Sequence, residues 1–449
     1  MFSLNKDSPM RDKKKSDTFC ILPWTHLFGD DLGRIFPCCM AVPSRKPNSD
    51  EDGLPYSVYR PGDFEKAWNS QYMRDIRLQM QAGERPKACE RCYMYEDNGI
   101  HSHRMSSNDL FRKDVDRIRA ATRPDGSADF EILSADIRIG NLCNLRCRMC
   151  SPTSSRALIK EWKELRPELG EKFYQSVESV DWFSNEEFWG IFEKYLPKMQ
   201  SLYFAGGEPL LVPQVRVFLE RIVASGHAKQ IKLILNTNLT ILSEEMTKLW
   251  QHFGKLKIII SLEGFGRTNE YIRYPSKWEN MHKNLMTLDG MLDQLPTDRV
   301  SFNTTVQVYN IFDLDRLVDY TSTSFKRIRP FPFLSPLTSP EGLNIQALPI
   351  ELKKIGAERL RRFIDSRKDF WLGLDASETE KSEFLGNING IINFMNEGDM
   401  SEYLPSLIRT TEVFDRHRSQ RVCDYVPELA SLFPVYKSRE DHYESKNNN

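Results

Sequence analysis

The stretch GNLCNLRCRMCSP, residues 140–152, sets Cys143, Cys147 and Cys150 within eight positions of one another and offers no fourth thiol nearby. The segment before it, SADIRIG (134–140), reads as a short strand. The segment after it, SPTSSRALIKEWKEL, sets Leu158, Ile159, Trp162 and Leu165 on one helical face. The three thiols therefore sit on a loop that joins a strand to a helix. The chain of 449 residues has nine cysteines, an odd count too small for a disulfide scaffold, and only Cys423 lies beyond residue 150. In a reducing compartment, clustered cysteines read as metal ligands or catalytic thiols before they read as bridges.

Outward from that loop the pattern repeats. MQSLYFA (199–205), IKLILN, KLKIIISL, RVSFNTTVQV and KRIRPFPF read as strands. Each of the first four is followed by a helical segment, such as VPQVRVFLERIVASG with Val215, Phe218, Leu219, Ile222 and Val223 at helical spacing and Gly226 as a stop. SNEEFWGIFEKYL opens with a capping box from Ser184 to Glu187, and SNDLFRKDVDRIRAA (107–121) reads as a helix. With the first strand, residues 134–335 give six strands, five of them followed by helix. The expected fold is α/β, a parallel sheet with right-handed crossovers shaped as a partial (β/α)6 TIM-like barrel, with its chemistry at the carboxyl ends of the strands.

A chain of this length exceeds what one core fills. Residues 17–100 form a small Cys-rich metal domain, 101–133 a charged connector, 336–435 a helical carboxyl-terminal region and 436–449 a disordered tail. The formal charge of −1 gives no footprint for nucleic acid or an anionic membrane surface. No apolar core follows the basic residues at the start, and no run reaches the roughly 18 apolar residues of a membrane span. The expectation is a soluble, cytoplasmic protein.

Three thiolates can hold three irons of a 4Fe–4S cluster and leave the fourth iron open to an exogenous amine and carboxylate. A zinc site with a distant fourth ligand is the plainer reading of the cysteines taken alone. Two further motifs shift the balance. AGGEP (205–209) closes the second strand of the barrel, and IIISLEG with NEYIRYP places Ser261 and Arg273 twelve positions apart after the fourth. C-x3-C-x2-C with apolar Met149 before its last cysteine, followed by GGEP, resembles the radical S-adenosylmethionine superfamily over about residues 134–335. The resemblance implies that Cys143, Cys147 and Cys150 bind an open 4Fe–4S cluster. It implies that Met149, Gly206, Gly207, Glu208 and Pro209 lie against S-adenosyl-L-methionine, that Glu208 pairs with its ammonium, and that Ser261 and Arg273 hold its carboxylate and ribose. Asn238, in NTN (236–238), stands where relatives often have T-N-G. The usual S-x-D-G appears here with Glu263 in place of the aspartate. On their own, GGEP fits a β-to-α turn and Arg273 a surface salt bridge.

The amino-terminal cysteines Cys20, Cys38, Cys89 and Cys92, with Gly33 five before Cys38, resemble the twitch domain, a shortened relative of the SPASM domain that holds an auxiliary 4Fe–4S cluster. Here the unit precedes the barrel, whereas such domains usually follow it. The glycine spacing selects Cys38 over Cys39. A structural zinc is the alternative ligand. His101 and His103 read as connector residues before ligands.

The expected function is a radical S-adenosylmethionine oxidoreductase. It would cleave the cofactor reductively to a 5′-deoxyadenosyl radical and oxidise or cross-link a peptide or small-molecule substrate. The auxiliary cluster would take the electron left behind, and flavodoxin or ferredoxin would be the external donor. The alternative is a non-catalytic metal-binding module with zinc at its amino-terminal cysteines. No catalytic acid or base is singled out. The aromatic-rich insertion 172–196 reads as core before docking surface.

Overall fold

The computed structural model describes residues 18–41, 48–97 and 102–434. The expected tail and His101 lie outside the described residues. The strands are β1 (His26–Gly29), β2 (Ile35–Phe36), β3 (Ser134–Ile139), β4 (Ser201–Gly206), β5 (Lys232–Thr237), β6 (Lys255–Ser261), β7 (Thr297–Val306) and β8 (Phe333–Pro336). The chain divides into two compact units. The smaller runs to Asp136 and includes Gly190–Met199; the larger comprises Ile137–Trp189 and the chain from Gln200 onward.

In the larger unit the strands follow chain order, β3-β4-β5-β6-β7-β8, and the sheet does not close on itself. The pairs from β4 to β8 are parallel, with helices Pro213–Ala224, Glu244–Trp250, Trp278–Met291 and Leu314–Thr323 in the crossovers. This is the expected partial barrel, but its last strand is displaced: the segment 326–333 is not a strand until Phe333, because Pro330 and Pro332 have no N–H to give a ladder.

The two faces of the sheet differ sharply. Phe204, Leu235, Ile258, Ile260 and Phe302 are fully buried. Their neighbours of opposite parity, such as Tyr203, Asn236, Ile259, Ser301 and Asn303, are only half-buried. Period-two alternation puts the first set under helices and the second on a half-open inner face. Register ties the inner face into rows: Tyr203, Ile234, Lys257 and Arg299 in one, and Ser261, Asn303 and Phe333 further toward the carboxyl ends.

The edge of β8 is capped by a side chain. The Asn387 carboxamide accepts from Leu334 N and donates to Leu334 O, both at 3.0 Å, in the manner of a neighbouring strand. Asn387 stands on helix Glu378–Glu397, which with Ile350–Leu372 and Leu404–Arg418 forms the expected carboxyl-terminal helical region.

Up to Trp189 the aromatic insertion supplies core to the larger unit. Phe183, Phe188 and Trp189 are buried, and Trp189 lies against Phe218 with ring centroids 4.7 Å apart. The capping box is not formed: the helix begins at Glu186, and Asn185 Oδ1 accepts from Glu187 N at 2.9 Å. Asn185 is as strong a cap as Ser184 and sits one residue nearer the first turn. The segment 107–121 is two helices, His103–Leu110 and Val115–Ala120, because the chain turns where Phe111 enters the smaller unit's core.

That core gathers Phe19, Ile21, Leu22, Trp24, Ile76 and Met80, with Cys20 among them and Cys38 and Cys89 packed against it. Fully buried Arg77 donates to the carbonyls of Pro23 and Trp68, which pairs its N–H groups inside the unit, while burial lowers its pKa. Among the described residues no helix is long and apolar enough to cross a membrane.

Candidate active site

The loop after β3 brings its three cysteines together. Cys147 and Cys150 are in thiol–thiol hydrogen-bond contact. That contact lowers the Cys147 pKa and holds that of Cys150 well above the ordinary value. Burial pushes Cys143 up to about 12, the Cys147 charge adds to this, and the Leu145 amide, 3.4 Å from its sulfur, works the other way. Without a cation at the site such thiols resist ionising together; irons supply that cation, so the donor set fits a cluster. Among the described residues no three His, Cys, Asp or Glu side chains converge on a single-ion site. A cubane asks for a wider arrangement, since its thiolates sit on separate irons.

The AGGEP turn at the end of β4 interlocks with this loop. Gly207 N donates to Gly140 O at 2.9 Å, and Glu208 N donates to Leu142 O at 2.8 Å. A Cβ on Gly207 would lie 2.2 Å from Leu142 O, and Gly206 has φ +110°. The glycines therefore let one backbone approach another, here that of the cysteine loop. Pro209 starts a 3-10 turn, Pro209–Leu211, capped by the Glu208 side chain.

Glu208 is buried, and its carboxylate is largely committed within the chain. Oε1 accepts from Leu210 N at 3.0 Å and Thr237 Oγ1 at 2.7 Å; Oε2 accepts from Asn238 N at 2.7 Å. Burial raises its pKa, and these three donors oppose the rise. An oxygen has two lone pairs, so Oε2 keeps one acceptor site for a ligand ammonium. Asn238 in turn directs Nδ2 at Asn144 Oδ1 (3.0 Å) and at Cys143 Sγ (3.9 Å), so the end of β5 touches the cysteine loop. Ser261, half-buried at the end of β6, donates to Asn236 Oδ1 at 3.2 Å. Met149 is half-buried on the loop.

Arg273 is buried and donates to Glu263 Oε2 at 2.5 Å. Burial works against its charge, but Cys147, Glu263 and Cys150 around it outweigh that and hold it cationic. Glu263, whose burial raises its own pKa against the pull of Arg273, also accepts from Thr305 N. The longer acid thus has a definite place as the buried partner of Arg273. Sequence reasoning gave it none.

A second buried pair was missed altogether. Arg148, inside the cysteine triplet, donates from Nη2 to Asp415 Oδ1 at 2.6 Å and from Nε to Tyr271 O at 2.9 Å. Its guanidinium lies 3.5 Å from the Tyr271 ring centroid. Asp415 also accepts from Tyr271 Oη at 2.9 Å and Val422 N at 2.7 Å. Beside it, Arg418 forks onto both oxygens of Glu161 at 2.9 and 3.0 Å, and Arg146 reaches Glu161 at 3.3 Å. Helix Leu404–Arg418 thereby clamps the cysteine loop. The available signal was an arginine within the loop and no acid beside it.

In the smaller unit, the fields of Cys20, Cys38, Cys89 and Cys92 act on one another, so the four lie in one neighbourhood. Burial pushes Cys20 up to about 12, and raises Cys38, Cys89 and Cys92. The backbone amides of Leu22, Met40 and Arg104 point at Cys20, Cys38 and Cys92, and buried Arg104 adds positive potential at Cys20, Cys89 and Cys92. The Arg104 guanidinium itself is bonded to Glu96 and Phe19 O, and the Glu96 charge works the other way at Cys20 and Cys92; the N–H groups directed at sulfur suit thiolates on a cluster. Cys39 also acts on Cys38 and meets His103 Nε2 at 3.9 Å.

The larger unit is thus a half-open parallel barrel with three thiols, a glycine turn and a buried arginine at its strand ends. Residues 137–291 match the model described as the Radical SAM superfamily. Among solved structures it is similar to Streptococcus suis SuiB bound to S-adenosylmethionine. The identity is 14%, the TM-score 0.34, and 70% of this chain and 61% of that one are covered. It is also similar to anSMEcpe with bound AdoMet and the Cp18Cys peptide, at 14% identity and TM-score 0.32, over 52% of this chain and 59% of that one. The chain thus spans about three fifths of the length of these structures. Likenesses of this size decide neither substrate nor partner. No curated protein sequence matches the chain.

Proposed function

We propose that the chain is a radical S-adenosylmethionine oxidoreductase acting on a peptide or small-molecule substrate in the cytoplasm, with an external donor such as flavodoxin or ferredoxin. The observation that carries this reading is the interlock of the cysteine loop with the AGGEP turn, with Arg273 against the same thiols. When bound, the cluster and S-adenosyl-L-methionine supply one-electron reduction and hydrogen-atom abstraction. Cys143, Cys147 and Cys150 hold the cluster. The free acceptor site on Glu208 takes the cofactor ammonium, Ser261 and Arg273 take its polar groups, and Met149 with the Gly206–Gly207–Pro209 turn packs against its apolar part. Asn238 steadies Cys143. Cys20, Cys38, Cys89 and Cys92 are read as ligands of an auxiliary 4Fe–4S cluster that takes the electron left on the substrate.

The test is 5′-deoxyadenosine formation from S-adenosyl-L-methionine by anaerobically prepared protein under a strong reductant. Cys147→Ala should abolish it and lower iron by about one cluster's worth, because two thiolates hold a cubane poorly. Undiminished 5′-deoxyadenosine in that variant removes the reading.

A further inference from the structure

The inner face of the larger unit carries a charged feature that the cofactor site does not use. At the amino-terminal ends of the strands Lys232 stands beside Lys255, and one row higher Lys257 stands between Ile234 and Arg299. Asp298, the acid whose field reaches Lys257, is paired with Lys232. Glu380 lies 3.7 Å from Arg299 and is shared with Arg329 at 3.6 Å. Lys257 itself is half-buried and has no hydrogen-bond or ion-pair partner among the described residues.

That arrangement is unfavourable as it stands. Like charges opposite one another in a sheet repel, and a desolvated ammonium without a partner costs more still. Burial, then Lys232 and Arg299, hold the Lys257 pKa below the usual lysine range. An oxyanion between the two side chains would relieve both terms, with the guanidinium able to fork onto two oxygens.

We propose that Lys257 and Arg299 form an oxyanion subsite on the inner face of the barrel and bind a carboxylate or phosphate carried by the substrate. The inference rests on the reading of the strand ends as the radical site. Lys257 lies four residues below Ser261 on β6, so the anionic group is held roughly 13 Å from the cofactor end at 3.3 Å per residue. The substrate is therefore elongated; a peptide would need about four extended residues between its anion and the reacting carbon.

The experiment uses the cluster-loaded protein, titrated calorimetrically with inorganic phosphate and with succinate at ionic strength held constant with chloride. Saturable binding of at least one is expected. Phosphate alone points to a phosphorylated substrate and succinate to a carboxylate. Lys257→Met and Arg299→Gln should each weaken it about tenfold or more, the scale of one lost charge-assisted contact. Lys257→Arg should retain it, and Lys248→Gln, on an outer helix, should leave it unchanged. No saturable binding of either anion, or equal binding by Lys257→Met and wild type, overturns the proposal. 5′-Deoxyadenosine measured in the same preparation keeps the two readings apart. Its absence counts against cofactor cleavage and leaves the anion result standing, and the converse holds equally.

Discussion

Glu263 shows how much one methylene decides. Its carboxylate meets the Arg273 guanidinium in a buried pair that also faces Cys147 and Cys150. Removing one partner of such a pair leaves an uncompensated charge, so Glu263→Gln should lower unfolding free energy by about 3 kcal/mol or more. Urea unfolding of the metal-free protein measures this, and an unchanged midpoint would place the pair in solvent. Arg273→Lys keeps the charge but loses the planar fork, and should weaken S-adenosyl-L-methionine affinity about tenfold by equilibrium dialysis. At this scale the sequence was legible wherever ligands are neighbours in the chain, as in the cysteine triplet and the AGGEP turn. The partner of Arg273 was not legible, because ten residues and a helix separate it from Glu263 and no periodicity links them.

Among the elements, helix Leu404–Arg418 has the most specific task. Through Asp415 it takes the Arg148 charge, and through Arg418 it shares Glu161 with Arg146. Asp415→Ala should cost about 3–5 kcal/mol, the usual penalty for breaking a buried ion pair. It should also speed iron loss to a chelator, since the loop loses its anchor. Wild-type thermal stability and iron retention together would contradict the clamp. Five of the six barrel strands were readable from their apolar runs and intervening helical periods, whereas the sixth, read at 326–333, overlaps β8 only at Phe333. The start of helix Glu186–Glu193 was misjudged, since Ser184 and Asn185 are both good caps and spacing alone does not choose between them. Nor does any local pattern announce that a carboxyl-terminal helix holds an amino-terminal loop.

For the molecule as a whole, the four amino-terminal cysteines pose a stoichiometric question. Replacing Cys89 and Cys92 together should leave the barrel cluster and 5′-deoxyadenosine formation intact while product formation fails. Wild type should contain about eight irons and no zinc; about four irons with one zinc would assign the smaller unit a structural metal instead. Iron and zinc analysis of both proteins decides between them.

The clamp has a consequence in time. Arg148 and Asp415 are 267 residues apart in the chain. At translation rates of about 5–20 residues per second, the cysteine loop leaves the ribosome on the order of 13–50 s before the helix that closes over it is complete. Throughout that interval Arg148 has no Asp415 to face. The order of synthesis therefore leaves an interval in which the loop is already made and the clamp is not.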